Sequence, residues 1–255
     1  MTGQFLLVSV RVPLALAEQA RAAAIELAPG GFEESESGET LILGLYVDES
    51  AVAAIRTAFA DVDVTPVEPG WEDAWRAFHR PARAGGLWIG PPWEQPEPGD
   101  RAVVIDPGRA FGTGAHPTTR LCVELLAGSE RGSLLDVGCG SGVLSIAAAR
   151  LGFDPIRAVD NDPIAVETTI VNAAVNDVVL EATVLDGESD ELPCADVAVA
   201  NVLLKPVEKI LARLDARFVI TSGYLTGDMP AAPGWRRLER VELDGWAADR
   251  FERSG

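Results

Sequence analysis

The sequence predicts an α/β protein: a parallel sheet with helices on both faces, preceded by a small α+β domain. Three observations predict this. From about residue 101, short apolar runs alternate with helical segments, the pattern of strands buried on both faces. Residues 1–66 carry a different order, strand–helix–strand–strand–helix–strand. Between them, residues 67–100 hold Gly85-Gly86, Pro91, Pro92, Pro96 and Pro98, which break regular structure as a linker does.

In the first domain, Phe5–Val12 is apolar and β-branched, a strand. Leu14–Leu27 has apolar residues at helical spacing and stops at Pro29-Gly30-Gly31. Gly31–Ser37 and Thr40–Val47 form a hairpin about Ser37-Gly38-Glu39. Ser50–Ala60 is a helix and Val62–Val67 the last strand. In the linker, Trp71, Trp75 and Phe78 recur at helical spacing and predict a short amphipathic helix. Beyond it come a helix through Leu121–Leu126, strand Ser133–Val137, helix Gly142–Leu151, strand Ile156–Asp160 and helix Pro163–Asn176. Strands Val179–Leu185 and Asp196–Ala200, helix Pro206–Leu214 and strand Phe218–Ser222 follow. Ligands of such a sheet lie beyond the carboxyl ends of its strands.

Composition narrows the function. Hydrophobic residues are 47% and charged residues 24%, enough apolar material for a core. Carboxylates outnumber bases 39 to 21, a net charge of -18. That speaks against a surface that tracks phosphates, so no direct nucleic-acid site is expected; it favours a cationic protein as partner. Residues 1–70 carry eleven acids and three bases, and are more than twice as acidic per residue as the rest. No run of 18 apolar residues and no basic-then-apolar leader occurs, so neither membrane span nor secretion is expected. Cys122, Cys139 and Cys194 lie far apart beside only two histidines, so no metal site is expected, and the usage suits a reducing, cytoplasmic setting.

Leu134-Leu135-Asp136-Val137-Gly138-Cys139-Gly140-Ser141-Gly142 is a strand running into a glycine turn and a helix. Glycines there let a ligand touch the backbone. Gly138 and Gly140 fit the first places of a dinucleotide fingerprint, but Val143 stands where its last glycine belongs. Asp160 ends the next strand, where a carboxylate accepts hydrogen bonds from both hydroxyls of a ribose. Asp162-Pro163 supplies the cap and first-turn proline of the following helix, leaving Asp160 for a ligand. A nucleoside is thus supported and a pyrophosphate is not. This combination resembles the S-adenosylmethionine-dependent methyltransferases with a seven-strand sheet.

Asp106-Pro107-Gly108-Arg109-Ala110-Phe111-Gly112-Thr113-Gly114-Ala115-His116-Pro117-Thr118-Thr119-Arg120 and Val199-Ala200-Asn201-Val202-Leu203 sharpen the resemblance. With Trp71–Pro81 and Leu87–Trp93, they are similar to the ribosomal protein L11 methyltransferase family over nearly all of residues 70–225. The resemblance implies a seven-strand Rossmann-like methyltransferase domain over 101–255 and a ferredoxin-like, substrate-recognition domain over 1–66. It implies S-adenosylmethionine as cofactor, with contacts from Thr119, Gly138, Asp160 and Asn201. Asp136, Gly140, Phe111 and Thr118, from the same segments, complete the candidate set. It further implies a monomeric enzyme that methylates Lys side chains and the terminal α-amine of ribosomal protein L11, with Asn201 as the catalytic residue orienting the amine. The residues themselves leave open the same chemistry on another basic protein, or a binding module without turnover. His116 reads as a base or, preferably, as an organiser of its loop.

Two departures stand out. Asn201 is followed by Val202-Leu203-Leu204 rather than the Pro-Pro-Tyr of enzymes acting on planar amides and bases. Thr226–Gly234 holds glycine, prolines and aspartate where the family has a full helix.

Overall fold

The computed structural model describes residues 5–28, 32–66, 80–106 and 114–254, in two units that divide after Phe78. The helix expected about Trp71, Trp75 and Phe78 lies outside the described residues, as does Phe111.

The first unit contains β1 (Phe5–Pro13), α1 (Ala17–Leu27), β2 (Phe32–Ser37), β3 (Thr40–Asp48), α2 (Val52–Ala58) and β4 (Val62–Pro66). Its antiparallel sheet has the order β2-β3-β1-β4. Period-two alternation buries Leu41, Leu43, Leu45 and Val47 of β3 with Val8 and Val10 of β1. Ala17, Ala20 and Ala24 of α1 and Ile55 of α2 close that core; their small side chains let α1 lie near the sheet.

The second unit opens with β5 (Ala82–Ala84), β6 (Leu87–Gly90) and β7 (Ala102–Val104), a three-stranded sheet. This corrects the reading of 80–100 as linker. Gly85-Gly86 is not a break but the two-residue turn of the β5–β6 hairpin, with φ of +56° and +75° and Ala84 opposite Leu87. Leu87, Trp88 and Ile89 are buried.

The main sheet follows: α3 (Pro117–Ala127), β8 (Leu134–Val137), α4 (Val143–Leu151), β9 (Ile156–Asp160), α5 (Pro163–Val175), β10 (Glu181–Val184), β11 (Ala195–Asn201), α6 (Leu204–Leu211), β12 (Ala216–Leu225), β13 (Trp235–Leu243) and β14 (Trp246–Arg253). Its seven strands run β10-β9-β8-β11-β12-β14-β13, all in one direction except β14. One face packs α3, α4 and residues of α5 and the small sheet; the other packs Val207, Ile210 and Leu211 of α6. Strand order reverses between β8 and β11, the switch point at which α/β sheets bind ligands. Two buried asparagines of this unit, invisible to patterning, tie its parts together. The Asn176 amide pairs with both backbone groups of Val104 at 2.8 and 2.6 Å. Asn172 Nδ2 donates to Ser141 O at 2.9 Å, and its Oδ1 accepts from Asp106 N at 3.3 Å.

Candidate functional site

The carboxyl ends of β8, β9 and β11 bring Asp136, Asp160 and Asn201 to one end of the sheet. The turn between β8 and α4 is held rigidly. Gly138 N and Cys139 N both donate to Val159 O, at 2.8 and 3.1 Å. Gly140 N donates to Asp160 Oδ2 at 3.0 Å, and Thr169 Oγ1 donates to Gly140 O at 3.0 Å. Gly138 has φ +78°, and a Cβ there would stand 2.5 Å from Val202 Cγ1. Val202 is gripped from its other side: Gly223, φ +101°, approaches until a Cβ would meet Val202 O at 2.1 Å. The segment carrying Asn201 is therefore wedged between the glycine turn and β12, and only glycine permits either approach.

Asp160 is half-buried. One oxygen accepts from Gly140 N and the other from Asp162 N at 3.0 Å, which aims the carboxylate while leaving each oxygen lone pairs to offer. Asp162 caps α5 by accepting from Ile164 N at 2.8 Å, the role the sequence assigned to it.

Asp136 is completely buried. Its Oδ2 accepts from Ser145 N at 3.0 Å and Ser145 Oγ at 2.6 Å, and its Oδ1 has no hydrogen-bond partner among the described residues. Burial pushes its pKa up to about 7, with the Asp160 charge adding to the rise and the Ser145 bonds opposing it. Ser145 was missed in the sequence; its one signal is a small polar residue in the first turn after the glycines.

Thr118 and Thr119 are buried at the start of α3, and Asn201 Nδ2 reaches Thr119 Oγ1 in a long 3.5 Å contact. The two segments singled out in the sequence thus meet, although 82 residues separate them. His116 is the N-cap of α3: Nδ1 accepts from Thr118 N at 3.3 Å and lies 2.7 Å from Thr118 Oγ1. Its ring meets Trp246 edge-on at 4.9 Å. Burial pushes its pKa down to about 4, so it is neutral at pH 7. This geometry is that of a helix N-cap.

Comparison with known proteins adds the decisive observation. The family model described as ribosomal protein L11 methyltransferase (PrmA) matches residues 35–227. The chain belongs to this family. A ribosomal protein L11 methyltransferase of Marinobacter nauticus is 41% identical over 208 residues, 73% of this chain and 68% of that protein. One from Herpetosiphon aurantiacus is 45% identical over 223 residues, covering 72% and 69%. The solved structure of a ribosomal protein L11 methylase from Lactobacillus delbrueckii subsp. bulgaricus matches with a TM-score of 0.61 and 26% identity, covering 67% of this chain and 96% of that one. The matched segments span from 55% to 82% of the curated relatives' own length. Family membership and the seven-strand sheet agree with the fold read from the motifs.

Proposed function

We propose that this chain transfers methyl groups from S-adenosylmethionine to amines of ribosomal protein L11, Lys side chains and the terminal α-amine among them. The reading rests on one juxtaposition in a chain of this family: the glycine turn, Asp160 and Asn201 share the carboxyl end of the sheet. The residues present suit the cofactor. The cradle at Gly138 excludes a side chain, Asp160 offers carboxylate lone pairs to a ribose, and the orphaned Asp136 Oδ1 favours a nearby cation. Gly138, Gly140, Asp136, Asp160, Thr118, Thr119 and Asn201 would hold the group, and the sequence motif adds Phe111. When bound, it supplies an electrophilic methyl on a positively charged sulfur.

What remains for the protein is to present a neutral amine in line. Deprotonating a free Lys of pKa near 10.4 at pH 7 costs about 4.6 kcal/mol, whereas an α-amine of pKa near 8 costs about 1.4 kcal/mol. Burial pushes the His116 pKa down to about 4, which makes it a weak base, and its Nδ1 is engaged with Thr118, so it does not serve as the base in this scheme. Desolvation beside a positive charge lowers the amine's pKa instead. Asn201 accepts a hydrogen bond from that amine and aims its lone pair, and the rate follows from orientation. The first unit recruits the substrate, and its acidity suits a cationic protein. We place the enzyme in the cytoplasm as a monomer without a nucleic-acid site; among the described residues no helix is long and apolar enough to cross a membrane.

The test is transfer of labelled methyl groups from S-adenosylmethionine to unmethylated ribosomal protein L11, followed by mass spectrometry. Mass gains in steps of one methyl establish reaction and substrate together. No gain with cofactor binding intact sinks the L11 assignment and directs the search to other basic proteins.

A further inference from the structure

Nine large apolar side chains are exposed among the described residues, and six of them fall between residues 164 and 184: Ile164, Ile170, Val171, Val175, Val179 and Val184. Four belong to α5. At 100° per residue, the exposed positions of α5 span an arc of about 140°, and the only charge on it is Glu167. An outer helix face in water is ordinarily polar, and clustered exposed apolar side chains mark a contact surface. Val184 continues the patch. In β9, Ile156 belongs to the core that α5 helps to cover and Val159 to the opposite one. Ala158 and Asp160 therefore share the Ile156 face, and β10 sets Val184 level with Asp160.

Charge decides what sits there. From Asp160 to Glu181, the stretch that contains α5 and its flanks, the chain carries five carboxylates and no Lys or Arg; one of the five, Glu181, pairs with Arg157. A second copy, itself at -18, is repelled from this surface, and so is a nucleic acid. The complementary occupant is a protein segment bearing Lys or Arg beside apolar side chains. A ribosomal protein, which must neutralise RNA phosphates, carries such cations. Ile164 lies four residues beyond Asp160, so the upper end of the face adjoins the candidate site; from there to Val175 the helix rises about 16 Å. We infer that the outer face of α5, with Val179 and Val184, is a docking surface for the protein substrate, outside the residues that hold cofactor and amine. This inference rests on the functional reading above.

The experiment is steady-state methylation of purified ribosomal protein L11 by the double variant Val171→Lys/Val175→Lys. Lysine has the better helix propensity, so α5 is retained. The expected result is a KM for L11 raised about tenfold, with kcat and the cofactor Kd unchanged, and a smaller rise as salt screens the new repulsion. Val171→Gln/Val175→Gln, which removes the apolar contact without adding charge, gives a smaller rise and carries the test if the lysine variant loses its helical circular dichroism. Leu238→Lys, the same kind of change at an exposed site elsewhere, leaves KM unchanged. An unaltered KM in the α5 variants, or an equal rise for Leu238→Lys, overturns the inference while methylation by the parent enzyme stands. No methylation of L11 by the parent enzyme overturns the functional reading, and this inference with it.

Discussion

Asp160 and Asp136 are two carboxylates at one site with opposite situations. Asp160 is oriented by two backbone amides and open to a ligand, so Asp160→Ala is expected to weaken cofactor binding by about 1 to 3 kcal/mol, the worth of hydrogen bonds to a charged acceptor. Calorimetry that finds the same Kd rules out the ribose role. Asp136 is buried with a pKa near 7, above its unfolded value of about 3.9, so the folded state holds its proton more tightly. Its contribution to stability is therefore fully present below about pH 4 and is lost as pH rises toward about 7. A bound cation favours the ionised form, so cofactor affinity is expected to rise between pH 6 and 8, and Asp136→Asn to flatten that rise in a titration series. The wedge at Val202 predicts unequal tolerance. Gly138→Ala meets only a side-chain methyl and is expected to regain part of its lost cofactor affinity in combination with Val202→Ala. Gly223→Ala meets the backbone of Val202, and the same second change is expected to leave its loss of thermal stability uncorrected. The two acids and one amide of the proposed site, Asp136, Asp160 and Asn201, were legible as residue types in motifs; Ser145 was not, nor was how they are held, because most of their hydrogen-bond partners lie 9 to 82 residues away.

At the level of elements, patterning located the strands from Ser133 to Ser222 and the helices between them, since burial on both faces leaves continuous apolar runs. It shortened β12, which continues through a bulge between Ser222 and Tyr224 to Leu225, and did not assign β13 and β14. The reason is chemical: β13 carries Arg236, Arg237, Glu239, Arg240 and Glu242, which hides its strand character. Two of them, Arg237 and Arg240, turn to the buried Asp249, which accepts from Arg240 at 3.0 Å and from Tyr224 at 2.8 Å, while Arg236 pairs with Glu252 and Glu239 with Arg250. The small β5–β6–β7 sheet was hidden likewise by its glycine turn. What fastens it to α5 is Asn176, so Asn176→Ala strands two buried backbone groups of Val104 and is expected to cost about 2 to 4 kcal/mol in urea unfolding. A loss below 0.5 kcal/mol would mean that water replaces the amide.

Across the whole molecule, the two-unit division and the acidic first segment were both readable from the order of elements and the charge count. The boundary was not, because residues 80–104 build a sheet out of turn-forming residues. Removing residues 1–66 is expected to spare cofactor binding by the second unit and abolish methylation of L11; full activity of the shortened enzyme refutes a recruiting role for the first unit. Sheet order also bears on how the chain is made. β14 lies between β12 and β13, so during synthesis β13 leaves the ribosome before its one strand neighbour among the described residues exists. It waits as an unpaired edge, and its mixture of arginines and glutamates is what keeps such an edge from pairing with a stranger until β14 arrives.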